Sequence, residues 1–379
     1  MERDELEAWL RLLRTPGVGG ATARRLLAAF GLPRQILAQE RAALAREVGR
    51  DVAEALWTPD QAGLRDAVAR ATTWLAAPGH HILTLADAEY PAALLQIPDP
   101  PPLLYMAGRI ELLRRPRLLA IVGTRNPSPQ GARDAQAFGG ACASAGITVV
   151  SGMAQGVDAQ AHRGALAALD ADPDSGSTIA VLGTGCDRVY PAAHRALAQR
   201  IARDGLLVSE FALGTPPARD HFPRRNRIIS GLARGVLVTE AALGSGSLIT
   251  ARLAAEQGRD VLAIPGSIHN PLARGCHRLL RDGARLVEGL EDILSELGWA
   301  RPAAAPLAVP VPGGAPEGGG TPAQRALLQA LGDAGADFDT LAARTGRDAR
   351  WLAEQLLELE LQGRVTRLPG GRFQPSGLG

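Results

Sequence analysis

From residue 117 onward, short apolar runs alternate with helical stretches, and this alternation restricts the fold more than any other feature of the sequence. Strands that alternate with helices in this way form a parallel sheet covered by helices on both faces. We therefore predict an α/β fold built on a doubly wound, mostly parallel sheet. The strand-like runs are RLLAIVG, ITVVSG, TIAVLG, LLVSEF, GVLVTEA, DVLAIPG and ARLVEG.

Helical segments flank the predicted sheet on both sides. Residues 1–80 carry apolar side chains at helical spacing, and strand-like runs begin only after them. The stretch 299–320 is dominated by Pro, Gly, Ala and Val, a composition that predicts a linker because it cannot form a packed core. Residues 321–379 contain three helical stretches and two short strands around a Pro-Gly-Gly turn, which is the plan of a winged helix. The sheet domain is thus predicted to span 81–298.

The composition excludes several classes of enzyme. All 41 basic residues are Arg, and the chain has no Lys. A Walker A phosphate loop, a pyridoxal Schiff base and an amine nucleophile each require a Lys ammonium group. The sequence also lacks HxxxH, HExxH, GxSxG and GxGxxG motifs. Asp158 and His162 lie one helical turn apart, which fits either an oriented imidazole or, more simply, a cap. We predict no catalytic residue, no metal site and no cofactor.

The overall charge and the cysteines restrict the partners and the compartment. The net charge is only +2, so a polyanionic partner must be held by a local basic patch. Cys142, Cys186 and Cys276 form no CxxC pair, which predicts buried thiols in a reducing compartment. No run of about 18 apolar residues occurs. We expect a cytoplasmic protein that has no membrane contact.

Five glycine-containing loops each follow the carboxyl end of a predicted strand, which is the edge where doubly wound sheets bind ligands. Glycine amides and helix N-termini at such positions bind anions, and phosphate is the expected ligand. Tight turns alone would explain one such loop but explain five on one edge poorly. The loops are GTRNPSPQG (123–131), SGMAQGVD (151–158), GTGCDRVYP (183–191), SEFALG (209–214) and TEAALGSGS (239–247).

A basic cluster at 216–234 supplies a local patch. It carries five Arg against Asp220 alone, a local charge of 5 − 1 = +4. Guanidinium groups bind phosphate bidentately, and Phe222 offers a flat face to an unpaired base. Arg125, which follows the first glycine of its loop, is the best single candidate for a phosphate contact. The five arginines are Arg219, Arg224, Arg225, Arg227 and Arg234.

Part of this cluster has an equally ordinary structural interpretation. Arg225 and Arg227 would then pair with carboxylates such as Glu210 or Glu240, and Phe222 would belong to the core. For Phe222 the two interpretations are balanced.

The flanking domains also leave alternatives open. Residues 15–31 fit a helix-hairpin-helix, in which the amides of Gly17 and Gly19 meet a DNA phosphate, but such a hairpin also simply joins two helices. Residues 321–379 hold seven Arg and seven acids, and the candidate recognition helix is acidic. We interpret this winged helix first as a module that contacts protein.

Taken together, six ordered blocks distributed over about half of the chain resemble the bacterial DNA-processing protein A family (DprA, also called Smf). The resemblance implies an extended Rossmann-like core between an N-terminal helix-hairpin-helix or SAM-like domain and a C-terminal winged helix. The blocks are AIVGTRNPSPQG, VVSGMAQGVDAQAH, TIAVLGTGCDRVYP, SEFALGTPPARDHFPRRNRIISGLARGVLVTEA, GSGSLITARLAAEQGRDVLAIPGS and GCHRLLRDGARLV.

The resemblance further implies a protein without enzymatic turnover that binds single-stranded DNA, protects incoming DNA and assists RecA loading in natural transformation. It also implies a homodimer formed through the Rossmann-like domain. Arg125, Arg219 and Phe222 fall where family members contact the strand, although many members carry Lys where this chain has Arg219. The predicted nucleic-acid-binding residues are Gly123, Thr124, Arg125, Ser151, Gly152, Gly185, Arg219, Phe222, Arg225, Asn226, Gly246 and Ser247.

Two other functions remain as alternatives. A Rossmann-like nucleotide-binding or phosphoribohydrolase-type enzyme would use a PGGxGTxxE turn, and the comparable turn here, LGSGSLIT, places Thr250 where the acid would stand. A duplex-binding regulator would read sequence through the winged helix, which conflicts with the neutral charge of that domain.

Overall fold

The computed structural model describes residues 2–300, 321–332, 335–368 and 371–375, so most of the predicted linker and the Pro369–Gly370 turn lie outside the described residues. The chain begins with six helices. They are α1 (Arg3–Arg14), α2 (Gly20–Phe30), α3 (Pro33–Leu37), α4 (Arg41–Val48), α5 (Arg50–Trp57) and α6 (Gln61–Leu75).

The N-terminal helices bury side chains in two places. On α1, Leu6 and Trp9 pack together with α6 against the sheet residues Tyr105 and Leu207. On the other side of α1, Leu12 joins the buried side chains of α2 to α5 in a separate small core. Because α1 contributes to both cores, the first helices are attached to the sheet by apolar packing.

Nine strands form one mostly parallel sheet in the order β1-β2-β6-β5-β4-β3-β7-β8-β9. The strands β3 to β9 run parallel to one another, whereas β2 is antiparallel to β6 and β1 is antiparallel to β2. The predicted doubly wound sheet is confirmed. The strands are β1 (His80–Thr84), β2 (Leu103–Gly108), β3 (Leu118–Val122), β4 (Thr148–Ser151), β5 (Thr178–Val181), β6 (Leu206–Ser209), β7 (Gly235–Val238), β8 (Asp260–Ala263) and β9 (Arg285–Leu286).

Helices cover both faces of the sheet, because the central strands are apolar at successive positions and are buried on both sides. These helices are α7 (Ala92–Leu95), α8 (Pro129–Ser144), α9 (Val157–Ala171), α10 (Arg195–Asp204), α11 (His221–Leu232), α12 (Ser247–Glu256), α13 (Arg274–Arg281) and α14 (Leu290–Glu296).

The strand order reverses next to β3. From β3 the chain proceeds through β4, β5 and β6 on one side, and it then returns to place β7 on the other side of β3. The loops after β3 and β7 therefore diverge at the carboxyl edge, and such a switch point leaves an open crevice there.

The C-terminal segment folds as a winged helix with its own core, which includes Leu327, Leu352 and Phe373. This prediction is confirmed, and the structure adds a short strand, β10, that pairs with β12. The elements are α15 (Pro322–Leu331), β10 (Ala336–Asp337), α16 (Phe338–Thr345), α17 (Ala349–Leu361), β11 (Val365–Leu368) and β12 (Arg372–Pro375).

Two further features concern the chain as a whole. Within the described ranges, no helix combines the length and the apolar character that crossing a membrane requires. The three cysteines are free thiols in the interior, as the sequence predicts.

Candidate nucleic-acid interface

A cleft of about 500 Å³ opens at the switch point, between the loops that follow β3 and β7. The first residues of α11 and the N-terminal end of α12 complete its walls. Nine of the twelve residues predicted from the sequence line this cleft. They are Gly123, Thr124, Arg125, Arg219, Phe222, Arg225, Asn226, Gly246 and Ser247.

Two guanidinium groups at the cleft are available to a ligand. Arg125 and Arg219 are exposed, and neither forms an ion pair with an acid in the part of the chain that the structure describes. The guanidinium carbon of Arg125 lies 5.6 Å from the centre of the Phe222 ring. Two unneutralised cations that line one cleft attract a polyanion.

An aromatic pair lies beside these cations. The rings of Tyr190 and Phe222 are 5.6 Å apart between centroids, and Tyr190 is exposed. Gly183 makes room for the pair, since a Cβ at that position would lie 2.9 Å from Phe222. A smaller cavity of about 110 Å³ adjoins the pair and includes Gly152. We predicted a role for the loop that contains Tyr190 but did not predict Tyr190 itself. The signal that could have identified it is a single aromatic residue at the end of a glycine-containing loop.

Three predicted residues require correction. Ser151 and Gly185 are buried and line neither cavity; the Ser151 hydroxyl donates to the carbonyl of Ile121 at 2.6 Å. Arg225 touches the cleft but is only 4% exposed, and its Nη1 donates to the carbonyls of Gly152 at 2.5 Å and Val181 at 2.6 Å. Burial lowers the pKa of Arg225. Its charge is thus used to join two loops from beneath the cleft.

Internal carboxylates occupy donors that the sequence analysis assigned to phosphate. Asp158 accepts from the amides of Gly152 at 3.1 Å and Ala154 at 3.3 Å, while Asp187 accepts from the amide of Gly214 at 2.8 Å. Asp158 therefore caps the loop before α9. These amides do not face a ligand, because each already has an anionic partner in its own fold.

Glu240 closes a third loop in the same way. Its carboxylate accepts from the amide of Ser128 at 2.8 Å, from the Ser128 hydroxyl at 2.9 Å and from the side chain of Asn270 at 3.1 Å. An acid at this position stabilises the positive end of α8. These carboxylates use amides of the loops 123–131, 151–158 and 209–214, and the Thr124 amide donates to the carbonyl of Glu240 at 2.7 Å. The prediction that all five loops offer their amides to phosphate therefore requires correction at these positions.

The basic cluster is dispersed by its own helix. Arg227 binds Glu210 at 2.6 Å and Asp99 at 3.0 Å, and Arg224 shares Glu210 at 3.0 Å. The pairing interpretation is thus confirmed for Arg227. Arg234 follows the end of α11, and its amide donates to the carbonyl of Leu118 at the opposite edge of the sheet. Of the predicted +4 patch, only Arg219 presents an unpaired charge at the cleft.

His162 takes no part in this surface. It is fully buried, and its Nδ1 lies 2.7 Å from the hydroxyl of Thr178, which itself donates to the carbonyl of Val149. Nδ1 is therefore the donor of this hydrogen bond. Burial lowers the pKa of His162 to about 3, so the ring is neutral near pH 7.

The N-terminal hairpin has an acid at its helix end. The carboxylate of Asp99 binds Arg24 on α2, and a Cβ on Gly20 would lie 2.9 Å from this carboxylate. A DNA phosphate at the same end of α2 would meet this negative charge at close range. The hairpin is thus docked on the core rather than open at this point.

Comparison with known proteins identifies the family. The DNA recombination-mediator protein A family matches residues 81–298. The chain belongs to this family. The DprA winged helix domain matches residues 301–371, and the DprA-like N-terminal HHH domain matches residues 3–53. As a member of the DprA family, the chain is a DNA processing and recombination protein.

Two curated relatives each match more than half of the chain. Protein Smf of Escherichia coli is 40% identical over 321 residues, which cover 81% of this chain and 80% of the relative. The DNA processing protein DprA of Streptococcus pneumoniae is 46% identical over 213 residues, covering 56% of this chain and 73% of the relative.

Two solved DprA structures share the fold. The X-ray structure of DprA from Streptococcus pneumoniae has a TM-score of 0.66 at 37% identity and covers 76% of this chain and 97% of its own. A structure of DprA from Helicobacter pylori, which concerns its single-stranded DNA binding mode, has a TM-score of 0.51 at 30% identity. It covers 57% of this chain and 95% of its own.

Proposed function

We propose that this protein is a recombination mediator that binds single-stranded DNA along the cleft at the carboxyl edge of its sheet. Arg125 and Arg219 contact phosphates, and the Phe222–Tyr190 pair stacks on bases. One observation carries this proposal: two cations without acid partners and Phe222 line one cleft, and Phe222 contacts the exposed Tyr190 in the adjoining cavity. The Helicobacter pylori relative, whose structure concerns single-stranded DNA, supports the choice of ligand.

The aromatic pair favours a single strand over a duplex. Paired bases are stacked on one another and do not offer their faces, whereas an unpaired base stacks on an aromatic ring with a gain of about 1–3 kcal/mol. The cations contribute attraction that does not depend on sequence. We infer binding without strong sequence preference.

The wider role that we propose follows from membership of the family. The protein protects incoming single-stranded DNA in the cytoplasm and delivers it to the RecA recombinase during natural transformation, without catalytic turnover or a cofactor. It acts as a homodimer formed through the Rossmann-like domain. The position at which a phosphoribohydrolase would carry an acid is Thr250, a buried residue of α12, which supports a binding role for the cleft.

Binding of an oligo-dT strand to Arg125→Ala and Arg219→Ala variants tests the proposal. We expect affinity to fall about tenfold in each variant, because each loses a charge-assisted phosphate contact. The slope of log affinity against log salt concentration is expected to become shallower by about 0.7 per variant, because one fewer counterion is released. Fluorescence anisotropy at several salt concentrations measures both quantities.

Arg203→Ala is the matched control. Arg203 is the penultimate residue of α10, close to the amino end of β6, and is 74% exposed, so its substitution removes the same charge away from the residues that line the cleft. We expect no change in its affinity or slope. Equal effects of Arg203→Ala and Arg125→Ala would show that only the overall charge matters, and the proposed cleft would have to be abandoned.

A further inference from the structure

A second basic cleft lies at the opposite edge of the sheet. It has a volume of about 440 Å³, and its charged lining consists of four arginines and the single acid Glu89. Each arginine lies in the short segment that precedes the amino end of a parallel strand. The four are Arg114, Arg115, Arg234 and Arg259.

The topology explains why these cations converge. Arg234 immediately precedes β7, Arg259 immediately precedes β8, and Arg114 and Arg115 lie shortly before β3. These three strands are neighbours, so their amino ends meet at one edge. The apolar floor between them comes from residues such as Leu118 and Leu232.

The acids near this cleft neutralise it only in part. Arg114 pairs with Glu89, and Arg234 pairs with Asp260 at 3.3 Å, but both arginines are more than half exposed, at 62% and 51%. Exposed pairs of this kind contribute little stability and exchange partners readily. Their guanidinium groups are thus available to a stronger anion.

Arg259 is held in place without an acid. Its Nη2 donates to the carbonyl of Ala93 at 3.0 Å and to the side chain of Gln96 at 3.3 Å, and its Nε has no hydrogen-bond partner among the described residues. Burial and the nearby positive charge of Arg234 lower the pKa of Arg259. Two like charges are therefore held close together by the fold, which is typical of a site that binds an anion.

We propose that this amino-edge cleft is a second contact site for the phosphate backbone of single-stranded DNA, and this inference rests on the proposed function of the carboxyl-edge cleft. The helix α11 spans the distance between the two edges, since it starts at His221 beside the first cleft and ends at Leu232 in the second. Its twelve residues measure about 18 Å.

The length of the strand decides whether both clefts are filled. A strand stacked as in B-DNA carries a phosphate about every 3.4 Å, so a strand of about 3 nucleotides covers about 10 Å, roughly half the length of α11. Such a strand fills the first cleft alone. A strand of about 30 nucleotides is long enough to contact both edges of the sheet.

A double variant, Arg114→Ala with Arg234→Ala, tests this inference in the full-length protein. We expect its affinity for an oligo-dT strand of about 30 nucleotides to fall about tenfold and its salt slope to become shallower by about 1.4, because two phosphate contacts are lost. We expect its affinity for a strand of about 3 nucleotides to stay unchanged. The matched control is Arg203→Ala with Arg252→Ala, which removes two exposed, ion-paired arginines on other helices.

The outcomes separate this inference from the proposed function. If Arg125→Ala weakens both strands while the Arg114 and Arg234 double variant weakens neither, the first cleft stands and the second site is overturned. If neither set of variants affects the short strand, the proposed function fails. If the double variant no longer binds ATP while its affinity for the long strand is unchanged, the cleft is a site for a free nucleotide. That outcome would also overturn the inference.

Discussion

At the scale of single residues, burial decides the role of each arginine. Arg125 and Arg225 both lie at the cleft, but Arg125 is exposed beside Phe222, whereas Arg225 is buried and bonded to two backbone carbonyls. A buried cation that satisfies internal acceptors stabilises the fold and has no charge left for a ligand. The two side chains therefore have different roles at the cleft.

Because of this difference, Arg225→Ala and Arg125→Ala should change the free energy of unfolding by very different amounts. Arg225→Ala leaves the carbonyls of Gly152 and Val181 and the carboxylate of Asp158 buried without their partner, and it should lower the free energy of unfolding by about 3 kcal/mol. Arg125→Ala should change it by less than about 0.5 kcal/mol. Urea denaturation followed by circular dichroism measures both. A stable Arg225→Ala variant that has lost DNA affinity would instead make Arg225 a direct DNA contact.

The burial of Arg225 can be understood from its position on α11. On α11, Arg225 lies three, four and seven positions before Ile228, Ile229 and Leu232, which form a buried stripe. The charge count over 216–234 did not use this spacing, although the sequence left open that Arg225 and Arg227 pair with carboxylates. The exposed Arg125 was predicted from its place after the first glycine of a loop, and the exposed Arg219 from the basic cluster.

At the scale of elements, two helices position the loops of the cleft. The helices α8 and α9 follow β3 and β4 and pack very closely through glycines. A Cβ on Gly139 would lie 2.3 Å from the carbonyl of Ala161, and a Cβ on Gly164 would lie 1.9 Å from the carbonyl of Gln136. Neither backbone atom can move without shifting a helix and the loop that precedes it.

We therefore expect Gly164→Ala to destabilise the protein by about 3 kcal/mol or more, because the added methyl group meets backbone rather than a flexible side chain. Gly140→Ala on the same helix pair is the control. Its Cβ would lie 3.4 Å from the nearest atom, and alanine gains up to about 1 kcal/mol over glycine in a helix. Thermal unfolding of both variants provides the comparison. A Gly164→Ala variant as stable as the Gly140→Ala variant would contradict the packing described.

The secondary-structure elements were the part of the structure that the sequence predicted best. The alternation of apolar runs and helices indicated every strand from β3 to β9, because a parallel sheet buried on both faces leaves a continuous apolar pattern. The roles of Asp158, Asp187 and Glu240 could not be derived in this way. Asp187 and Glu240 each accept from an amide in another loop, and a sequence pattern does not show which loops meet, whereas Asp158 accepts from amides of its own loop.

At the scale of the whole molecule, the sheet separates two basic clefts, and helices at either end of the chain flank it. The acid Asp99 closes the helix end of the N-terminal hairpin, and the winged helix carries no net charge over 321–379. The carboxyl-edge cleft, with its aromatic pair, is the surface that best suits a single strand. The proposed position of the strand on the molecule is therefore at this cleft.

Photo-crosslinking of a bromodeoxyuridine-containing single strand to the full-length protein, followed by peptide mapping, tests this claim most directly. The account predicts crosslinks at Phe222 and Tyr190, because bases stacked on these rings lie within reach of the reactive carbon. It also predicts that Arg125→Ala reduces their yield while Arg203→Ala does not. Crosslinks confined to the N-terminal hairpin at 15–31 or to the winged helix at 321–375 would contradict the account.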